Sequence, residues 1–367
     1  MNFLLLSILF FLGILSSIFS SSKKYNNKYI LYFLIVAICA IIALRDVRVP
    51  DTDEYIGNFM LQADLFNTSV YPYEVGFVYL IHICHLFFGY HYQLFFFVIP
   101  LLNFWLLSVS FNKILSLYYG REINNKLKGL IILYVIYFSF FGLYYNAIVL
   151  RAGIAISFVM LSIVKIFESD MKGKIGIYPF IYFFAAFLFH MSSVCCIPIF
   201  LLSFRKKTLG RNSKLYALFT IFILYLFSPL LGIIMEPINA MFTLLSNQDT
   251  GGLSKFDYYN DSSLYQSSGI SFKFLYFYLV AVVTCFFYRK SFVWNKLLDI
   301  YICGLLIWAI FRPIMLIERI TDFYLVISVF IISIYYFDKK NTSTKFLGLF
   351  CTCCIQLLFI YRIIAGT

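Results

Sequence analysis

Residues 129–167 read GLIILYVIYFSFFGLYYNAIVLRAGIAISFVMLSIVKIF, and only Arg151 and Lys165 among them are charged. The run is too long and too apolar for the buried stripe of a surface helix. It also lacks the alternation of a barrel strand, which needs about ten residues of period two. Two spans of roughly 17–25 residues fit inside it, at 129–145 and 147–167. The same texture recurs on both sides, at about 2–20, 29–44, 92–112, 215–234, 272–288, 297–317, 320–337 and 345–363. Two stretches are less regular: 73–90 carries Glu74, His82 and His85, and 177–203 has His190 at its centre. The expected fold is all-α, a polytopic integral membrane bundle forming one domain over residues 1–367, with about 11–13 membrane segments.

Composition agrees. Of 367 residues 62% are apolar and 13% charged, and the mean hydropathy is +0.88. A soluble domain carries about 25% charged residues to cover its surface. Soluble enzymes, disordered chains and nucleic-acid-binding domains are thereby excluded. The net charge of +12 reads as Lys and Arg retained in cytoplasmic loops rather than as a polyanion site. Most of the nine cysteines lie inside apolar runs, and none falls in a spaced Cys/His ligand set. The first 20 residues lack a basic leader and a small-residue cleavage site, so they read as a retained span. The abundance of Phe, Tyr, Ile, Lys and Asn hints at an AT-rich bacterial gene.

Basic clusters give the sidedness. Lys23, Lys24 and Lys28 are expected inside, with Arg205, Lys206, Lys207, Arg211 and Lys214; so are Arg289, Lys290 and Lys296, then Lys339, Lys340 and Lys345. Two longer polar loops then face outward, about 45–72 (RDVRVPDTDEYIGNFMLQADLFNTSVYP) and 235–271, together with the turn at Glu318, Arg319 and Asp322. The middle of the chain admits two versions. In the preferred one the basic stretch 113–128 is inside, 73–90 is re-entrant and 177–203 is a helical hairpin. Arg151 and His190 then both reach the outer side. In the other, 73–90 crosses fully and His190 sits mid-membrane in one long helix.

A charge in hydrocarbon costs roughly 2.5–3.5 kcal/mol on insertion scales and so demands a reason. Arg151, flanked by Ala152, Gly153 and Ala155, suits an anion, because its planar fork grips phosphate or carboxylate with two donors. The alternatives are a structural pair with a buried acid such as Glu74, or snorkelling to the interface. His190, in AAFLFHMSSV, is a candidate general base. Glu74, in YPYEVGF, is a carboxylate beside an apolar segment, where a raised pKa is expected. The loop at 45–54 gathers Arg45, Asp46, Arg48, Asp51, Asp53 and Glu54. Its arginines suit a diphosphate and its acids sugar hydroxyls or a hard cation, unless they pair internally. Arg312 reads as snorkelling, Glu318 and Arg319 as a mutual pair, and Tyr258, Tyr259 and Tyr265 as sugar-stacking or interfacial rings. No metal site is expected, since His82 and His85 have no third ligand. The chain holds no Walker loop, GxGxxG, GxSxG or HExxH.

The order of these features resembles the EpsG/Wzy-type family of polysaccharide polymerases. The resemblance rests on Arg45 with VPDTDEY (Asp53 or Asp51, and Tyr55), YEVGF (Glu74, Gly76, Phe77), NAIVLRAGIA (Asn146, Arg151, Ala155), His190-Met-Ser192, and ERITDFY (Arg319, Tyr324). It covers about residues 1–330. Pro50 stands where the family commonly has glycine. Two extra residues separate Asn146 from Arg151, and Ala152 replaces a glutamine.

The resemblance implies joining of oligosaccharide repeat units carried on undecaprenyl diphosphate, at the outer side of the bacterial cytoplasmic membrane. The diphosphate is already a good leaving group, so the site needs cations for its developing charge and a base for the acceptor hydroxyl. Arg151 is expected to serve the diphosphate, assisted by Arg319 and Arg45. His190 is expected as base with Glu74 in reserve, and Arg48, Asp53, Tyr55 and Tyr324 as further substrate contacts. No cofactor or nucleotide sugar is implied. A chain-length regulator and a flippase are the expected partners besides the lipid-linked glycan and the bilayer. A lipid-linked-oligosaccharide flippase, an O-antigen ligase and a membrane acyltransferase are the rival readings.

Overall fold

The structure, a computed structural model, describes residues 3–19, 28–61, 73–120, 126–173, 176–227, 270–287, 291–312, 317–338 and 341–365. Among them are helices and turns and no strand. Every apolar run becomes a helix: α1 (Phe3–Phe19), α2 (Lys28–Ala43), α3 (Thr52–Leu61), α4 (Val75–Phe88), α5 (Tyr92–Tyr119), α6 (Lys126–Phe138), α7 (Phe141–Ala147), α8 (Leu150–Lys172), α9 (Tyr178–Phe189) and α10 (Ile197–Phe204). They are followed by α11 (211–227), α12 (Phe272–Phe286), α13 (Phe292–Phe311), α14 (Ile317–Leu325), α15 (Ile327–Asp338) and α16 (Thr342–Ala365). Among the described residues five stretches are long and apolar enough to cross a membrane by length and composition: Tyr92–Tyr119, Leu150–Met171, Phe292–Phe311, Ile317–Asp338 and Thr342–Ile364. The pair α6–α7, bent by 62°, passes the same test together, and six further apolar helices are shorter. The chain is a multi-pass, all-α membrane protein. Part of the first polar loop (62–72) and the second up to residue 269, with Tyr258, Tyr259 and Tyr265, lie outside the described residues.

The chain divides into two compact units, Met1–Phe204 with Val329–Thr367, and Arg205–Ser328. In the first, α8 is the axis: it packs on α5, α7, α9 and α10, and 83% of its span is buried, against 22% for α16. The apolar surface of α16 is thus left to lipid, while α8 is enclosed by protein. Glu168 of α8 pairs with Lys165 (2.7 Å) and with Lys113 of α5 (3.4 Å). A helix rises about 1.5 Å per residue, which puts Glu168 about 25 Å along the axis from Arg151. The basic stretch at 113 and Arg151 therefore belong to opposite ends of the bundle.

The segment 177–203 is a hairpin. The chain is extended at His190 (φ −158°, ψ 115°), turns through a 3-10 helix at Met191–Cys196 and returns as α10. Phe180 and Phe183 of α9 lie 5.2 and 5.0 Å from the Phe200 ring, and Phe180 lies 6.1 Å from Phe204. A continuous helix would hold residues 180 and 204 about 36 Å apart. The single-long-helix alternative is thus overturned, and His190 stands at the hairpin's tip.

In the second unit α13 packs on α12 and α14. Gly304 lets α14 close in, since a Cβ there would come within 2.3 Å of Tyr324 Cβ.

Candidate functional site

The polar end of the first unit is assembled from five chain segments. A break between α7 and α8, at Ile148 and Val149, puts Arg151 in the first turn of α8 rather than deep inside a span. Asn146, fully buried, fixes the end of α7: its Nδ2 donates to Gly142 O (2.6 Å) and Tyr137 Oη (3.2 Å), and its Oδ1 accepts from Asn103 Nδ2 (2.8 Å). The break falls between Asn146 and Arg151.

Glu74 precedes α4, and its side chain turns away from its own helix toward the hairpin tip. Oε2 accepts from Arg151 Nη1 at 2.7 Å. Oε1 lies 3.0 Å from His190 Nδ1 and also accepts from the backbone N–H of Met191 at 3.0 Å. One carboxylate therefore bridges the arginine and the histidine. A carboxylate only accepts, so Nδ1 carries the imidazole hydrogen and the basic lone pair of the neutral ring is at Nε2. Side-chain exposures of 22%, 19% and 19% for Arg151, Glu74 and His190 leave the triplet within reach of a ligand.

The expected rise in the Glu74 pKa is corrected. Burial does push it up, but the His190 hydrogen bond, the Arg151 charge and the Met191 N–H outweigh burial and hold it at about 2. Gly76 makes the approach possible: a Cβ there would sit 2.8 Å from Leu188 O.

Tyr73 and α3 complete the wall. The Arg151 guanidinium lies 4.5 Å over the Tyr73 ring, and the buried Tyr55 phenol adjoins it electrostatically. Tyr55, Tyr73 and Phe77 pack ring to ring at 5.5–5.8 Å. Arg45, only 7% exposed, points inward. Its Nε donates to Thr52 Oγ1 (2.9 Å), its Nη1 to Ile42 O and Asn146 O (both 3.4 Å), and its guanidinium stacks 3.6 Å over Phe96. Burial lowers its pKa to about 10, against the pull of Tyr55. Two buried guanidinium nitrogens here, Arg45 Nη2 and Arg151 Nε, have no hydrogen-bond partner among the described residues.

The structure thus brings together Arg45, Tyr55, Glu74, Arg151 and His190. Arg48 is exposed and paired with Asp46 at 2.7 Å, and Asp53 is exposed on α3. Arg319, exposed, and Tyr324, buried against Gly304, belong to the second unit. There Glu318 faces Lys273 (3.8 Å), which also pairs with buried Asp322 (3.0 Å); Arg312 stacks over Tyr225 at 4.4 Å and donates to Tyr225 O. Sequence reasoning did not find Tyr73, Asn103 or Lys273. Only the adjacency of Tyr73 to Glu74 pointed to the first.

A sequence profile of the EpsG family matches residues 28–366, nearly the whole chain. The chain belongs to the EpsG family. This is a Wzy-type polysaccharide polymerase family, and membership supports a polysaccharide polymerase-type function broadly. All the residues of the Glu74 triplet fall inside the region matched to EpsG. No curated protein and no solved structure matches the chain.

Proposed function

We propose that this protein joins oligosaccharide repeat units carried on undecaprenyl diphosphate into a surface polysaccharide, at the outer face of the bacterial cytoplasmic membrane. The observation that carries the reading is the bridge of Glu74 between Arg151 and His190. It places a cation and an imidazole on one carboxylate, at the end of the bundle opposite Lys113.

In this mechanism His190 Nε2 takes the proton of the acceptor hydroxyl as its oxygen attacks the anomeric carbon of the donor glycan. The bond from that carbon to the lipid diphosphate breaks, and the diphosphate leaves with the electron pair. Arg151 meets the negative charge developing there, and Arg45 adds a second positive field; both are more effective in a partly dehydrated site than in water. Glu74 acts as a positioning residue rather than as a base, because its charge is committed to two partners. It holds the imidazole tautomer and stabilises the imidazolium as it forms. Exposed Arg48 and Asp53 are offered to the glycan, and Tyr55 lines the arginine. A flippase and a chain-length regulator are the partners this chemistry calls for.

The test is a deletion strain whose surface glycan is resolved on a gel, complemented with wild type, Arg151→Ala or His190→Ala at matched protein levels. A single repeat unit at the surface in place of a ladder supports polymerisation. Absence of any exported unit points instead to a flippase, and polymer retained on its lipid carrier to a ligase.

A further inference from the structure

Tyr73, beside Tyr55, stands between α3 and the Arg151 guanidinium. We propose that Tyr73 is a positioning residue for the anion-binding arginine, latched in place by Glu54 and Asn58 of α3; this rests on the reading of Arg151 given above. The Tyr73 hydroxyl donates to Glu54 Oε1 at 2.9 Å and accepts from Asn58 Nδ2 at 2.9 Å. The same amide nitrogen donates to Glu54 O at 2.8 Å, so the latch is cross-braced within α3. With its hydroxyl held on two sides the ring cannot rotate out, and Phe77 packs edge-on against it at 5.5 Å.

The guanidinium is therefore gripped twice. Glu74 holds its edge at 2.7 Å and Tyr73 lies against its face at 4.5 Å. These two contacts fix the plane of the fork and so the direction of the donors that remain for a phosphate oxygen, among them the partnerless Nε. Glu54, which the loop's composition suggested as a sugar or cation ligand, is turned to this task, although it is exposed like neighbouring Asp53.

The test uses the full chain in lipid nanodiscs with inorganic pyrophosphate as probe, titrated calorimetrically. Tyr73→Phe keeps the ring face and loses the latch, so affinity is expected to fall about 5-fold, as for a lost hydrogen bond. Tyr73→Leu removes both, with a loss of about 30-fold, as for a desolvated cation–π contact. Glu54→Gln retains an accepting oxygen and stays nearer wild type than Glu54→Ala. In an Arg151→Ala background, Tyr73→Leu should change affinity less than about 2-fold, because a residue acting through another has nothing left to act on.

An undiminished Tyr73→Leu effect in that background overturns the proposal, as does wild-type affinity in Tyr73→Leu. If Arg151→Ala itself binds pyrophosphate normally, the anion-binding reading falls and Tyr73 falls with it. That result is distinct from a failure of Tyr73 alone. Should Tyr73→Leu not fold, Tyr73→Phe and the Glu54 pair decide: Tyr73→Phe at wild-type affinity overturns the proposal.

Discussion

Two paired cations, Lys214 and Arg151, show how different their purposes are. Lys214 in the second unit is sealed: its side chain has 0% exposure, and its Nζ meets Asp299 (2.9 Å), Asn295 Oδ1 (3.1 Å) and Leu209 O (2.6 Å). Asp299 in turn accepts from the Leu209 N–H at 3.1 Å. Arg151 is paired as closely, yet it keeps a partnerless nitrogen and stands with its partners at the mouth of a hairpin. A closed network fixes the ends of helices. An open one leaves hydrogen-bonding capacity for a ligand, and in an intramembrane setting that capacity is costly unless used.

The largest expected effects separate these two cations. Arg151→Ala should abolish polymer, a loss of at least about 100-fold as for other groups that meet transition-state charge, while protein level holds and the melting temperature falls only by the share of the Glu74 bridge that Arg151 supplies. Lys214→Ala should do the reverse. Breaking one half of a buried pair costs about 3–5 kcal/mol, so the protein should melt early or fail to accumulate, with the surviving fraction active. Thermal unfolding in detergent alongside the glycan ladder checks both; equal loss of stability in the two variants would erase the contrast. His190→Gln should follow Arg151→Ala, with a rate loss of about 10²–10⁴-fold.

The all-α membrane fold was legible because hydrocarbon thickness imposes long apolar runs, and the described residues of each run from 2–20 to 345–363 are helical apart from short breaks. Arg151, His190 and Glu74 were legible for the same reason, as each is anomalous within or beside an apolar run. Their partners were not. Nothing in YPYEVGF announces that Glu74 meets a residue 116 positions away, because a tertiary bridge leaves no periodicity. Arg151 looked deeply buried because Ile148 and Val149 are as apolar as their neighbours, so the break between α7 and α8 is invisible to hydropathy. Lys214 looked like one more cytoplasmic charge, since burial of a lysine is decided by Asn295 and Asp299 on another helix.

Intermediate effects sharpen what holds the open site together. Gly76→Ala would drive a methyl to within 2.8 Å of Leu188 O. Overpacking of this kind costs about 1–3 kcal/mol, and here it also moves Glu74 away from His190. Activity should therefore fall more than melting temperature does. Glu74 supplies a pH signature as well. Its carboxylate is held at about 2, below its ordinary value of 4.5. The resulting stability is fully present above about pH 4.5 and is lost as pH falls toward 2, at most about 3 kcal/mol. Glu74→Gln should flatten that stretch of the melting-temperature profile; an unchanged profile would mean that the bridge contributes nothing to folding.

The smallest effect belongs to Arg48, which shares a loop with Arg45 and a charge with Arg151 but neither one's surroundings. Its side chain is 89% exposed and its partner Asp46 is 41% exposed. Water and salt screen such a pair, and the two side chains lose rotamer freedom by holding it. Arg48→Ala should leave the melting temperature unchanged and lengthen or shorten the glycan ladder only modestly, through a weaker hold on an anionic donor. That weakening should vanish at high salt, as expected for an exposed charge, whereas the defect of Arg45→Ala should persist. Arg45 is stacked on Phe96 and bonded to Thr52 and Asn146, so its removal unties α3 from the break that sets Arg151. A salt-insensitive defect in Arg48→Ala would show that the loop closes over it during turnover, and would extend the open site to the rim of α3.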